Sequence, residues 1–320
     1  MSDFKMLITS RGNVFEVSVQ EPVVWEISRK NTPGKLTFTV MNDNTLAFYE
    51  GDAVRFYHKD KGIFFGYVFE KKRSTNRYIT VTAYDQLRYF KNKETMSYVG
   101  KTAAQVLKMI IEDFRLKAGD IDNTNHVIAS RVEDNQDLFT IVNNALEITT
   151  RQTGKLYALY DSFGSLNLKE VNNLKLDLLI NSESGETFDY VSSIDQSTYN
   201  QVKLFREDKK NKKREIFIAK DTAKQNEWGI LQLTDSLQEG ENGQVKADTL
   251  LKLHNQKTRS LNIGKAFGDI RVRGGSIIGV QLNLGDLSVA NYMMVENVKH
   301  SFYNSDYRMD LKLIGGEFIA

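Results

Sequence analysis

Strict two-residue alternation of apolar and polar side chains occupies both ends of this chain, and a helical period interrupts it between them. Near the start, Phe15, Val17 and Val19 alternate with Glu16 and Ser18. Leu36, Phe38 and Val40 alternate with Thr37 and Thr39 after the turn Thr32-Pro33-Gly34, and Ile79, Val81 and Ala83 alternate with Thr80 and Thr82. Successive strand side chains point to opposite faces, so each run predicts a strand with one face to bury and one that tolerates water. The short intervals between runs favour an antiparallel sandwich or small barrel, because a parallel sheet needs intervening helices.

The period changes after about residue 90. Ala103, Val106, Leu107, Ile110, Ile111 and Phe114 form one stripe behind a predicted cap at Thr102. A second helix is predicted from a cap at Asp137 through Leu146, with Gly154 just beyond its end. A hairpin follows, Leu156–Tyr160 with Leu166–Val171. Alternation then returns: Val202–Phe205 and Glu215–Ala219 flank a charged tip at Asp208–Lys213, and a helix is predicted over Gln244–Asn255. Strands are expected at Ile270–Val272, Ile277–Leu284, Met293–Val298 and Met309–Leu313.

The fold expected is α+β, mainly β: two small antiparallel tube-like β-barrel domains flanking an α+β middle module. The boundaries are 1–90, 91–200 and 201–320. The strand layout near Gly51 (Val54–Tyr57, Phe64–Glu70, Tyr78–Ala83) matches that near Gly275 (Ile277–Val280, Met293–Val298, Tyr307–Leu313) in pattern rather than identity. The expectation drawn from it is two copies of one small barrel.

Chemistry-bearing residues are sparse. The 320 residues include no cysteine, which excludes disulfides, thiolate zinc sites and cysteine nucleophiles. The 43 Lys and Arg against 41 Asp and Glu give a formal charge of +2, which argues against binding dominated by phosphate neutralisation. The start, Met1 to Ile8, lacks a signal-peptide core, and the longest apolar run, Gly62–Phe69, is far short of the roughly 20 residues that span a bilayer. A soluble protein without a cleaved export signal or membrane span is therefore expected.

His58, His126, His254 and His300 show no metal-ligand spacing, so no metal site is expected. Gly164-Ser165 is not a nucleophile elbow. Glu183 with Glu186, and Asp120 with Asp122, read as solvated loop carboxylates rather than a glycosidase pair. Gly274-Gly275 and Gly315-Gly316 read as bulges or turns rather than phosphate loops. Lys209, Lys210, Lys212, Lys213 and Arg214 form the one local charge excess, read either as a hairpin tip that discourages edge pairing or as a contact for nucleic acid or an acidic partner. Tyr98 and Tyr303 are expected in turns, as anchors of a protein interface. No catalytic, cofactor-binding or metal residues are assigned, and a binding or assembly part is expected rather than an enzyme.

Several segments together resemble a known family. They are Trp25-Glu26-Ile27-Ser28-Arg29 leading through Pro33 to Val40, Glu50-Gly51-Asp52-Ala53-Val54, Ile194 through Leu204, Trp228-Gly229-Ile230-Leu231-Gln232, and Val295 through Phe302. In order along nearly the whole chain, they resemble the XkdQ/YqbQ family, baseplate hub proteins of PBSX-like prophages and contractile tail-like bacteriocins of Gram-positive bacteria, similar to the hub of T-even phages. The resemblance implies a homotrimer with two tube-like barrels per chain, forming a pseudo-sixfold ring that joins the hexameric tail tube to the trimeric spike. It also implies neighbours: the tube protein, the spike protein, a baseplate wedge or LysM-type tail protein, and the tape measure. No specific nucleic-acid recognition is implied, although DNA passes the channel in a phage. Assembly in the bacterial cytoplasm, into a virion or tail-like particle baseplate, follows from the same resemblance. A channel for DNA should not be sticky, so the Lys209–Arg214 tip is expected to point away from the lumen. The alternatives are a tail-associated cell-wall hydrolase, which a peptidoglycan zymogram with Glu183→Gln and Glu186→Gln would reveal, and a glycan-binding module.

Overall fold

The computed structural model describes residues 3–41, 46–75, 77–195, 197–208, 213–237, 241–283 and 288–315. The first seven strands are β1 (Phe4–Ser10), β2 (Asn13–Glu16), β3 (Val19–Ser28), β4 (Lys35–Met41), β5 (Ala53–His58), β6 (Lys61–Thr75) and β7 (Tyr78–Tyr84). After a short 3-10 helix, Gln86–Lys91, come β8 (Lys93–Thr102), α1 (Ala103–Asp113), β9 (Ala118–Ile121), β10 (Val127–Asp137), α2 (Leu138–Thr153), β11 (Tyr157–Asp161) and β12 (Leu166–Glu170). Next are β13 (Lys175–Asn181), β14 (Thr187–Ser193), β15 (Gln201–Asp208), β16 (Lys213–Lys220), α3 (Thr222–Trp228), β17 (Gln232–Ser236) and α4 (Gly243–His254). The last four are β18 (Thr258–Phe267), β19 (Ile277–Asn283), β20 (Ser288–Phe302) and β21 (Tyr307–Gly315).

Strands from both ends of the chain join in one thirteen-stranded sheet. Its first part runs β1-β5-β6-β7-β4-β3 and its second β13-β19-β20-β21-β18-β14. Numbered within each half, the two paths have the same order of strands, so one six-stranded topology occurs twice. The centre of each unit is a meander around a long strand. In β6, Tyr67 pairs with Ala53 on one side and Tyr84 on the other; in β20, Met294 pairs with Ile277 and Ile314. The first half of each long strand thus serves the preceding strand and the second half the following one. In strand direction the six-stranded paths differ at one pairing: β1 is antiparallel to β5, whereas β13 is parallel to β19.

The units are fused by β3 and β20, which pair antiparallel with Trp25 opposite His300 and Val23 opposite Phe302. A single apolar core therefore draws on both, from Ile8, Phe38 and Phe56 to Val280, Phe302 and Leu311. Among the described residues the ladder is open at β2, β13 and β14, so hydrogen bonding closes neither half into a barrel of its own. The boundary expected at residue 200 does not follow the pairing, because β13 and β14 belong to the second unit's ladder. Their half-polar faces, as in Leu-Asp-Leu and Phe-Asp-Tyr, gave no sign of which sheet they complete.

Two further bodies hang on this sheet, each with its own core. Residues 85–174 pack α1 and α2 against β8, β10, β11 and β12. Thr102 caps α1, Asp137 caps α2, and Gly154 ends it at φ 72°, as the sequence predicts, and Gln105 completes a capping box with Thr102. Residues 194–257 form an excursion from one point of the sheet, since Ser193 and Thr258 are paired neighbours on β14 and β18. Inside it, the β15–β16 hairpin joins β17, and α4 covers one face through Ala247 and Leu250.

Two expectations fail here. Ile270–Val272 is not a strand but part of the β18–β19 loop, whose Gly274 lies so close to the Ser28–Arg29 backbone that a Cβ would come within 2.5 Å of Arg29 N. Gly275 next to it adopts φ 92°, which favours glycine. Tyr98 lies not in a turn but inside β8, 3% exposed against α1 and α2, because Met96 and Tyr98 take the inward phase of a strand whose other positions are polar or exposed.

Phe302, fully buried, should behave very differently from the exposed Phe267. Urea denaturation is expected to show a loss of about 3–5 kcal/mol for Phe302→Ala and within about 0.5 kcal/mol of wild type for Phe267→Ala.

Candidate functional site

Two of the four histidines share one aromatic group and a third lies apart. His300 is fully buried and stacks on Trp25 at 5.0 Å. Its Nε2 faces the Val272 carbonyl at 3.0 Å, which can only accept, so that nitrogen carries the proton and Nδ1 accepts from Tyr307 OH at 2.7 Å. Burial lowers its pKa to about 4, and Arg273 adds to this against the opposing Asp269. His58 joins the same aromatic group through Phe302 and Tyr307, and burial and Lys59 lower its pKa as well. His254 lies elsewhere, bonded to the Ser197 carbonyl. Among the described residues no three metal-binding side chains gather.

The paired carboxylates are also separated by role. Glu183 is exposed, and Glu186 pairs with Lys265 at 2.8 Å on the surface. Asp120 and Asp122 both bind Lys169. Burial pushes Asp122 up, but Lys169 and the Glu170 N–H together hold it below the usual carboxylate range.

The acidic pair that matters to the fold was not visible in the sequence. Asp85 and Asp161, on separate elements, meet where the first unit joins the 85–174 body. Asp85 accepts the N–H groups of Gly34 at 2.9 Å and Leu87 at 3.0 Å. Asp161 accepts from Gly164 N–H at 2.6 Å and from Gln86 Nε2 at 3.2 Å. Burial, then Asp161, raises the Asp85 pKa well above normal; burial also pushes Asp161 up to about 6. Neither lines a cavity described here. Through the Gly34 N–H bond of Asp85 the pair links the first unit to the 85–174 body.

Surfaces are the remaining candidates. Each open strand of the sheet carries one exposed aliphatic side chain: Val14 on β2, Leu179 on β13 and Val191 on β14. Unpaired backbone groups beside such side chains can accept a strand from another chain. A groove of ≈ 380 Å³ separates α2 from α4, with Phe139, Val142, Leu146 and Leu250 along it and the Arg151–Asp235 pair, 3.2 Å, joining the two bodies. On the excursion, Ile216 and Ile218 of β16 are exposed beside Arg214. The rest of the charged tip, Lys209 to Lys212, and Gly316 lie outside the described residues, as does the side chain of Lys213. Tyr303 is 38% exposed just after β20. No helix among the described residues is long and apolar enough to cross a membrane.

Comparison with known proteins gives a consistent result. A family model described as YQBQ-like matches residues 23–314. The chain is 28% identical over 311 residues to the phage-like element PBSX protein XkdQ of Bacillus subtilis (strain 168), covering 92% of each. Its fold is shared by the prophage MuSo2 43 kDa tail protein from Shewanella oneidensis, with TM-score 0.71, 10% identity, and 99% of this chain and 100% of that one covered. It is also shared by the E. coli c3393 protein, described as a type VI secretion component similar to the T4 tail proteins gp27 and gp5, with TM-score 0.60, 12% identity and 98% and 78% coverage.

The buried groups predict opposite pH trends. A depressed histidine pKa stabilises the fold above pH 6.5 and loses that contribution as pH falls towards 4. The stability deficit of His300→Gln should thus be largest at pH 7 and shrink by roughly 3 kcal/mol towards pH 4. A raised carboxyl pKa acts the other way, so the deficit of Asp85→Asn should be largest near pH 4 and narrow towards pH 7. Urea titrations at both pH values read the two trends.

Proposed function

Because the chain belongs to the YQBQ-like family, we propose that it is a structural part of a phage tail or tail-like particle, and within it the baseplate hub. The observation that carries the reading is the twice-used six-stranded topology, β1 with β3–β7 and β13 with β14 and β18–β21. Three chains with two like units each offer six near-equivalent surfaces, a route from a hexameric tube to a trimeric spike. In this arrangement residues 3–84, and 175–193 with 258–315, play the part of tube-like barrels. The bodies at 85–174 and 194–257 stand outside the ring.

The mechanism is mechanical. The open strands β2, β13 and β14 supply backbone hydrogen bonds to neighbouring subunits, with Val14, Leu179 and Val191 as the apolar contacts between them. The shared core makes each pair of units one rigid body, so load from the tube reaches the spike without hinging inside a chain. The tube, the spike, a wedge or LysM-type protein and the tape measure are the partners in this reading. Assembly precedes release from the bacterial cell.

Reconstruction of particles from the producing strain is expected to show three copies at the tube–spike junction, with the two units of each chain alternating around the channel. Any other copy number there, or particles that assemble normally without this chain, overturns the hub assignment. A Val191→Asp chain is expected to fold as wild type and fail to enter particles, read by immunoblot of purified tails.

A further inference from the structure

Three turns enclose a cavity of ≈ 280 Å³: the start of β6, the β11–β12 turn and the loop from β18 to β19. Its polar lining is Lys61, Ser162, Asn173, Arg271, Arg273 and Ser276, against walls that include Trp25, Tyr160 and Phe163; no Asp or Glu lines it. Arg271 is committed, bonded through Nε and Nη2 to the Asp269 carboxylate at 2.6 to 3.1 Å.

Arg273 is not. Its backbone N–H bonds Ser276 Oγ at 3.1 Å, and its guanidinium lies over the Tyr160 ring at 4.5 Å, but it makes no ion pair among the described residues. Asp161, the carboxylate closest to balancing it, already accepts from Gly164 and Gln86 and faces Asp85. No hydrogen bond joins the Asp161 carboxylate to the Arg273 guanidinium among the described residues. Lys61, exposed at the same cavity, also lacks an ion pair among the described residues.

A partly buried guanidinium gains from a counter-charge that hydrogen-bonds it, and its planar fork matches oxyanions. The volume, about nine waters at ~30 Å³ each, admits a phosphate or carboxylate group with some hydration. We propose that this cavity binds a small oxyanion, phosphate or carboxylate, held by Arg273 with Lys61 at the mouth. The ligand would tie the first unit, the 85–174 body and the loop of the second unit together at one point. The site stands on this chain's own residues and does not depend on the hub reading.

Thermal unfolding of the full chain, with inorganic phosphate or succinate titrated against sodium chloride at matched ionic strength, tests it. Phosphate also stabilises proteins by exclusion from their surface, without saturating. The expected result is a saturable rise in Tm with at least one of the two anions; the responding anion identifies the tetrahedral or the planar group as the ligand. Arg273→Gln should abolish the saturable part, and Lys61→Gln should weaken apparent affinity several-fold by calorimetric titration. A Tm that follows ionic strength alone, or an Arg273→Gln protein that responds as wild type, overturns the site. If Arg273→Gln does not fold, Lys61→Gln decides, and unchanged affinity in that variant overturns it.

Discussion

The β3–β20 ladder is the contact on which the rest of the molecule depends. Without it the chain would hold two six-stranded units with separate, smaller cores; with it the apolar faces of both merge. Its centre is an aromatic stack, Trp25 on His300, next to Phe302 and Tyr307. Burial holds that imidazole in its neutral form. The Val272 carbonyl and the Tyr307 hydroxyl select one tautomer and hold the ring in register. The loop that supplies Val272 is in turn pressed onto the end of β3 at Gly274. Strand pairing, ring stacking and the double glycine are thus one device.

Much of this was legible in local pattern. Leu36 to Val40 and Ile79 to Ala83 alternate cleanly because one face meets the core and the other meets polar neighbours, including the Thr39–Thr80 hydroxyl pair. The two long helices announced their ends through Thr102, Asp137 and Gly154 because capping is satisfied within a few residues. The repeated meander showed in strand spacing, and the family resemblance agrees with the family the chain belongs to.

What stayed hidden depends on partners far along the chain. Tyr98 looked like a surface residue because its strand neighbours Glu94, Thr95, Ser97 and Val99 are exposed, and only α1 and α2 make its phase inward. β13 and β14 gave no hint that they complete the second unit, since the strands they pair with lie beyond an excursion or past it. The Asp85–Asp161 joint was invisible for the same reason: neither residue has a local sign of burial, and the desolvation that perturbs them comes from packing two bodies together. Ile270–Val272 imitated a strand because apolar residues in a tightly folded loop alternate by accident.

The excursion leaves the sheet between two strands that are already neighbours, and its counterpart in the first unit is only the short link between β3 and β4. Lengthening or replacing it therefore shifts no strand register, which frees this stretch to diverge while the frame stays fixed. It also makes the two halves of each polypeptide distinguishable from outside. Were six such units to close around one axis, as the hub reading requires, the inserted body would recur at every second unit and mark a threefold pattern on an outline that is sixfold in its strands.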